Sequence, residues 1–250
     1  MIKFGNITTF GWEGAISGMR NPRESWEKSD SGWCGKDFKG DDVFVIGPKD
    51  LELASRLAKA GGPHAKFRRM IHLQMDVLAP MYWWKEFDTY KIGTTANSTS
   101  TMNSVMKKEF SVTDFSYEHL GLAGFGALES LVDFFNKVRE QYLNPVGKAD
   151  EKARWWQIIQ LLPSGYNQLR TVDMNYEVLA NICKYRADHK LDEWRDFCKL
   201  VENNVPYAKQ LIFCKEESPY DECSGSCETG SETLGSQGSV DVSDAGVGNE

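Results

Sequence analysis

The pattern of apolar and polar residues changes along the chain from alternation in the first half to helical spacing in the second. The stretch RMIHLQMDVLAP, residues 69–80, alternates apolar and polar residues from Ile71 to Val77. Such a period of two is typical of a strand with one buried face. Residues 41–48, DDVFVIGP, predict a second and shorter strand. Strands in the first half followed by helices in the second half favour an α+β fold.

Several segments have the apolar spacing of amphipathic helices. The first is 50–60, where Asp50 is a predicted N-cap and Gly61 with Gly62 a predicted stop. The others cover residues 122–143, 150–162, 171–186 and 191–203. In the segment 171–186, Thr171 is the predicted N-cap.

The distribution of charge divides the chain into two predicted domains. The formal net charge is -7, but the residues after Lys215 contain nine Asp or Glu and no Lys or Arg, so residues 1–215 carry +2. Residues 216–250 are rich in Gly, Ser and acid, and we predict a disordered acidic tail because they cannot bury enough apolar surface to fold. The chain of 250 residues is 41% hydrophobic, which predicts one sizeable core in residues 1–215.

Charge and cysteine usage exclude several classes of function. A slightly positive body suits a small anionic ligand, whereas its basic residues form no stripe that would bind a nucleic acid polymer. The chain has no export signal and no apolar window as long as a membrane span. Six irregularly spaced Cys predict reduced thiols and a cytoplasmic protein. The four His share no metal-ligand spacing, so no metal site is predicted.

Two short motifs have structural interpretations that we prefer to functional ones. GLAGFG, residues 121–126, lacks the dinucleotide-binding spacing because Glu129 occupies the third glycine position. Its small residues instead predict close packing of a helix. The pairs Trp83-Trp84 and Trp155-Trp156 are predicted to lie in the core.

The stretch YKIGTTANSTSTM, residues 90–102, is too polar and too small to form core. Polar loops on a rigid scaffold often carry binding groups, so we interpret it as a binding loop. A second candidate is Arg186 in YRADHKLDEWRD, residues 185–196. Arg186 could pair with Asp188 or Asp192, or it could bind a phosphate or the edge of a pyrimidine ring. The pattern alone leaves these alternatives open.

Residues 161–194 resemble the C-terminal half of flavin-dependent thymidylate synthases. The matching features, in order, are Leu162-Pro163, Met174-Asn175, Leu179, Asn181 and YRAD at 185–188. RLAKAGGPHAKF at 56–67 and Ala79-Pro80 are similar to the segments around the first central strand of that family. The resemblance covers about residues 10–212 and implies a central antiparallel sheet with long C-terminal helices.

The signature of that family, R-H-R-x2-S-x-N-E-x-S-x-R, is only partly present. Placed on Asn97, it sets Thr95 at the first serine, Ser98 at the glutamate and Ser100 at the second serine. The basic triplet is replaced by Tyr90, Lys91 and Ile92, and Met102 stands at the final arginine. Lys cannot reproduce the bidentate contacts of Arg, so Lys85, Lys91, Arg68 or Arg69 would have to compensate.

The resemblance implies a divergent enzyme that methylates or otherwise modifies the uracil ring of deoxyuridylate or a related pyrimidine deoxynucleotide. It implies FAD as cofactor, methylene-tetrahydrofolate as a possible co-substrate and a homotetramer. The implied catalytic residues are Ser100 and Arg186, and the implied substrate-binding residues are Thr95, Asn97, Ser98, Ser100 and Arg186. The implied cofactor-binding residues are His64, Tyr90, Lys91, Asn175 and Asn181. The alternatives are an inactive nucleotide-binding module and a structural or protein-interaction module with the same fold.

Overall fold

The computed structural model describes residues 2–36, 40 and 42–215. The strands are β1 (Lys3–Phe10), β2 (Gly32–Lys36), β3 (Asp42–Val45), β4 (His72–Pro80), β5 (Thr94–Ser98) and β6 (Asn167–Asn175). The helices are α1 (Trp12–Arg20), α2 (Pro48–Ala60), α3 (Met81–Phe87), α4 (Thr101–Ser104), α5 (Leu122–Leu143), α6 (Lys148–Leu161), α7 (Tyr176–Arg186), α8 (Asp192–Asn204) and α9 (Ala208–Leu211). Short 3-10 turns cover Asn21–Arg23, Trp26–Lys28, His64–Met70 and Val112–Asp114. The predicted acidic tail, 216–250, lies outside the described residues.

A four-stranded antiparallel sheet with the order β1-β4-β6-β5 forms the centre of the fold. The alternation in β4 turns Leu73, Met75 and Val77 into the core, and Val172 and Met174 of β6 join them there. β2 and β3 form a separate hairpin. The predicted α+β class and central antiparallel sheet are therefore confirmed.

The prediction for residues 171–175 is wrong. These residues are the second half of β6, which pairs with β4 from His72↔Asn175 to Pro80↔Asn167. Thr171 caps no helix. The Asn175 side chain is the cap of α7 instead, because its Oδ1 accepts a hydrogen bond from the Val178 amide at 3.0 Å. Part of the predicted binding loop is also a strand, since β5 pairs with β6 along Thr94–Ser98.

Asp50 was also wrongly predicted as a cap. Helix α2 starts at Pro48 with Gly47 as its N-cap residue, which leaves Asp50 in the first turn. Its side chain is fully buried and does not cap the helix. The helix predicted for 150–162 starts two residues earlier, at Lys148, and the helices at 122–143 and 191–203 lie close to the predicted bounds.

Apolar residues form two clusters. The main core packs the inner face of the sheet against α1, α2, α3, α7 and α8, with Trp83, Trp84 and Trp194 fully buried. A second cluster lies between α5 and α6 around Phe115, Phe135 and Ile158. Among the described residues, no helix is long and apolar enough to cross a membrane.

The two motif interpretations fare differently. Trp83 and Trp84 are core residues as predicted. Trp155 is half-buried against the second cluster, whereas Trp156 is 44% exposed, so the core prediction is wrong for Trp156. Residues 122–126 of GLAGFG form the first turn of α5. A methyl group added at Gly126 would meet no described atom within 4 Å, so the predicted close packing at this glycine is absent from the described part of the chain.

Candidate functional site

A large cavity lies between α1, α2 and the His64–Met70 turn. Its volume is about 1360 Å³. Its lining includes five exposed cationic side chains, which we call the cationic group: Arg23, Lys28, Arg56, Lys66 and Arg69. His64 lines the same wall. Of the described residues that line the cavity, none is an Asp or a Glu.

The cationic group makes no ion pair within the described part of the chain. No hydrogen bond or ion pair joins the side chains of its members to another described residue, whereas Arg68 in the same turn is fully engaged. Arg68 is buried and donates to the Glu177 carboxylate at 2.8 Å and to the Leu211 carbonyl at 3.0 Å. Of the two arginines that could compensate for the missing triplet, only Arg69 therefore faces the cavity.

A buried ion pair supports the cavity wall. Arg20 donates from Nε to Asp50 Oδ1 at 2.6 Å and from Nη2 to the Lys28 carbonyl at 3.2 Å. Asp50 Oδ2 accepts from the hydroxyls of Ser29 and Ser31 at 2.6 and 2.7 Å. Burial alone would raise the pKa of Asp50, but these hydrogen bonds and the Arg20 charge outweigh it and lower that pKa. The pair fixes residues 25–31 beside the cavity.

Gly11 permits the close contact between α1 and the His64–Met70 turn. It has a φ of +87°, in the left-handed region. A Cβ at this position would lie 2.0 Å from the Met70 carbonyl oxygen, so any other residue would push the two segments apart. The cavity wall depends on this glycine.

Arg186 lies in a second polar group, which we call the Arg186 cluster: Glu86, Tyr90, Arg186, His189 and Trp194. Arg186 donates from Nη1 to Glu86 Oε2 at 2.5 Å and from Nε to the Tyr90 hydroxyl at 2.9 Å. Its guanidinium carbon lies 4.8 Å from the Trp194 ring centre. The sequence left open whether Arg186 pairs with Asp188 or Asp192. Neither pair is formed, because Glu86 is the acidic partner of Arg186. Asp192 instead contacts Arg195 and His119.

Glu86 is the centre of the Arg186 cluster. Besides Arg186, its Oε2 accepts from Trp194 Nε1 at 3.1 Å. His189 Nε2 lies 3.4 Å from the same oxygen. Because His189 Nδ1 accepts a hydrogen bond from the Leu191 amide, the proton of the neutral ring is on Nε2 and points to Glu86. The positive charge of Arg186 is thus offset within the protein.

Of the residues predicted to bind the cofactor, one contacts Arg186 and another lies at the opposite end of α7. Tyr90 contacts it directly. Asn175 caps α7, and a Cβ at Gly93 would lie 3.1 Å from the Asn175 amide nitrogen, so the backbone after Tyr90 and Lys91 passes close to that cap. Lys91 and Asn181 are exposed. His64 lines the cavity wall.

The residues predicted to bind the substrate lie along β5 and just after it. Thr95, Asn97 and Ser98 are exposed on this edge strand, opposite Asp173, Thr171 and Arg170 respectively. Ser100 follows the strand and caps α4, where its Oγ accepts from the Asn103 amide at 3.3 Å. From Thr94, beside Tyr90, to Ser98 the strand extends roughly 13 Å at the usual rise per residue. No described contact joins Ser100 to Arg186.

Sequence reasoning missed Glu86 and most of the cationic group. Lys66 and Arg69 lie three residues apart in one turn, which is a local signal. Arg23 and Arg56 belong to distant segments, and they join Lys66 and Arg69 through the packing of α1 and α2 against the His64–Met70 turn. Glu86 is a hundred residues from Arg186, and no spacing rule would have paired them.

Comparison with known proteins gives matches at the level of structure. No family model matches the sequence, and no curated protein sequence does either. The fold is that of the flavin-dependent thymidylate synthases. A structure of ThyX from Helicobacter pylori complexed with FAD and dUMP matches with a TM-score of 0.58 and 17% identity, over 86% of this chain and 99% of that one.

Two further structures extend the comparison. Another structure of Helicobacter pylori ThyX with FAD and dUMP has a TM-score of 0.62 and 16% identity, over 87% of this chain and 100% of that one. The UMP/dUMP methylase PolB from Streptomyces cacaoi, bound with 5-Br dUMP, has a TM-score of 0.50 and 11% identity, over 86% and 93%. At these identities the matches establish the fold, and they confirm the fold implied by the sequence resemblance.

Proposed function

We propose that the protein binds FAD and a pyrimidine deoxynucleotide, and that it modifies the uracil ring of deoxyuridylate or a close relative. The observation that carries this proposal is the cationic group. Five like charges without a described ion pair repel one another, and an anionic ligand would relieve that repulsion. Phosphate oxygens are the acceptors that Arg and Lys side chains bind most strongly.

The cavity suits FAD better than a single small anion. Its volume of about 1360 Å³ exceeds the range of roughly 300–1,000 Å³ usual for small-molecule sites. Arg23, Arg56, Lys66 and Arg69 would hold the pyrophosphate, and His64 would contact the ligand from the same wall. When bound, the flavin would supply the hydride that reduces the modified ring.

The Arg186 cluster would receive the pyrimidine deoxynucleotide. Arg186 and Tyr90 are hydrogen-bonded to each other, so the protein has fixed both side chains before any ligand arrives, and such preorganisation favours binding and catalysis. Ser100 and the exposed residues of β5 would reach the substrate of a neighbouring subunit in a homotetramer. Methylene-tetrahydrofolate would be the one-carbon donor.

An inactive nucleotide-binding module is the second candidate, and one observation favours it. Tyr90 and Ile92 stand where the family signature has cations, and the charge of Arg186 is offset by Glu86. Each lost charge-assisted hydrogen bond removes about 1.5–3 kcal/mol, so several losses would slow catalysis by orders of magnitude. Binding could survive these losses while catalysis does not.

The flavin spectrum of the purified full-length protein tests the proposal. We expect added FAD to remain bound after gel filtration, with its visible absorbance retained in the protein fraction. Incubation with deoxyuridylate, methylene-tetrahydrofolate and a reductant should then yield a methylated nucleotide. Bound FAD without product would support the inactive module. Failure to bind FAD or any deoxynucleotide at millimolar concentration would contradict both candidates.

A further inference from the structure

The Arg186 cluster contains hydrogen-bonding groups that the protein itself does not use. Arg186 uses Nε and Nη1, and no described residue accepts from its Nη2. The Glu86 carboxylate accepts its described hydrogen bonds at Oε2, and none of them goes to Oε1. The side chains of Arg186 and Glu86 are 17% and 32% exposed, so neither is sealed from solvent.

These unused groups make a donor next to an acceptor. The guanidinium N–H donates, and the carboxylate oxygen can only accept. The Nη1–Oε2 contact of 2.5 Å ties the two side chains together, and Trp194 and His189 contact the same Glu86 oxygen. The pair therefore presents a donor and an acceptor whose positions are fixed before a ligand binds.

A carbonyl adjacent to a ring N–H is the complementary arrangement on a ligand. Uracil has this edge, with N3–H between two carbonyl oxygens. We propose that Glu86 is a specificity-determining residue, whose Oε1 accepts the ring N3–H of a uracil nucleotide while Arg186 donates to the neighbouring carbonyl. This inference rests on the proposed function, and it identifies the acidic residue that selects the base.

The charge balance of the cluster supports this assignment over phosphate binding. A carboxylate within 2.5 Å of the guanidinium would repel a phosphate at the same place, whereas it attracts an N–H donor. The cationic group of the cavity has no such carboxylate among its described lining residues. Phosphate and base would therefore be bound by different groups in the protein.

Matched ligands and variants test the role of Glu86. Deoxyuridylate and its N3-methyl derivative would be titrated calorimetrically into the full-length protein in the presence of FAD. We expect the wild type to bind the N3-methyl derivative about ten- to a hundredfold more weakly, since a hydrogen bond to a charged group is lost. Glu86→Gln keeps the shape of the side chain, and its amide nitrogen would replace the acceptor by a donor. This variant should lose a similar factor for deoxyuridylate and bind both ligands almost equally.

The controls separate this inference from its alternatives. Glu129→Gln removes an exposed carboxylate on α5, outside the cluster, and should behave as the wild type. Discrimination that persists in Glu86→Gln would show that another group reads N3, and equal wild-type affinity for both ligands would also overturn the inference. Wild-type protein with no affinity for deoxyuridylate would refute the proposed function itself.

A measurement on the wild type alone covers the case in which Glu86→Gln does not fold. At alkaline pH the N3–H of uracil is lost and the ring becomes an anion, which the Glu86 carboxylate would repel. The affinity for deoxyuridylate should then fall. The affinity for the N3-methyl derivative should not fall with it, because this ligand has no N3 proton to lose. Parallel pH profiles for the two ligands would overturn the inference.

Discussion

Arg20 and Asp50 form a buried ion pair, with Arg20 Nε 2.6 Å from Asp50 Oδ1 and both side chains almost completely shielded from solvent. Replacing one partner would leave a charge buried without compensation. We expect Asp50→Asn to reduce the free energy of unfolding by about 3–5 kcal/mol, measured by urea denaturation. Asp42→Asn is the control, because Asp42 pairs with Lys36 on the surface and its loss should cost less than about 1 kcal/mol.

The same pair makes stability depend on pH. The folded pKa of Asp50 is lowered from its ordinary value of 3.8. Its contribution to stability is therefore complete above that unfolded value and is lost as the pH falls through the lower folded pKa. Urea denaturation at a series of pH values from 6 downward, about the range in which carboxylates titrate, should show a loss of wild-type stability that is smaller in Asp50→Asn. Equal slopes in the two proteins would contradict the assignment.

Arg186 and Ser100 are predicted to contribute unequally to nucleotide binding. Arg186→Ala should weaken deoxyuridylate binding by about 1.5–3 kcal/mol because the lost contact is charge-assisted. Ser100→Ala removes a neutral donor and should cost about 0.5–1.5 kcal/mol. Calorimetric titration measures both effects. A thermal melt of each variant is needed beside it, since Arg186 also contacts Glu86 and Tyr90. Lower stability with unchanged affinity would assign Arg186 a structural role.

The cationic group is predicted to bind phosphate. Arg69→Ala should weaken FAD binding by about 1.5–3 kcal/mol, and binding should also weaken with rising salt because the charges are exposed. Gel filtration with flavin absorbance, or fluorescence titration, would give the affinity. Lys152→Ala on the exposed side of α6 is the matched control and should leave the affinity unchanged. Similar losses in both variants would point to a general charge effect rather than to this cavity.

A homotetramer remains a prediction from the family resemblance. Phe134 on α5 and Trp156 on α6 are 38% and 44% exposed, and contact with other subunits would cover such side chains. Light scattering at micromolar concentration should give four times the mass of the 28.3 kDa chain. Trp156→Glu should shift the mass downward if α6 contributes to the interface. A monomeric wild type would rule out a site shared between subunits.

Local patterns predicted α5, α8 and β4 well because their apolar spacing alone reports which face is buried. β6 was missed for a physical reason: Val172 and Met174 alternate correctly, but the strand runs directly into a helix, and Thr171 has the composition of a cap. What makes these residues a strand is pairing with β4, about a hundred positions earlier. Asp50 and Glu86 show the same limit, because each forms an ion pair with an arginine far away in the sequence, which sequence spacing does not reveal.

The separation of the apolar residues into two clusters has a consequence for the motions of the protein. Phe135 and Ile158 pack between α5 and α6, apart from the residues that bury the sheet. Opening this helix pair would expose only the smaller cluster and would leave the hydrogen bonds of β4 and β6 intact. Amide protons of α5 and α6 should therefore exchange with solvent through local unfolding, at a lower free energy than those of the central strands. One fold would thus contain a region that opens at low free energy and a region that opens only at high free energy.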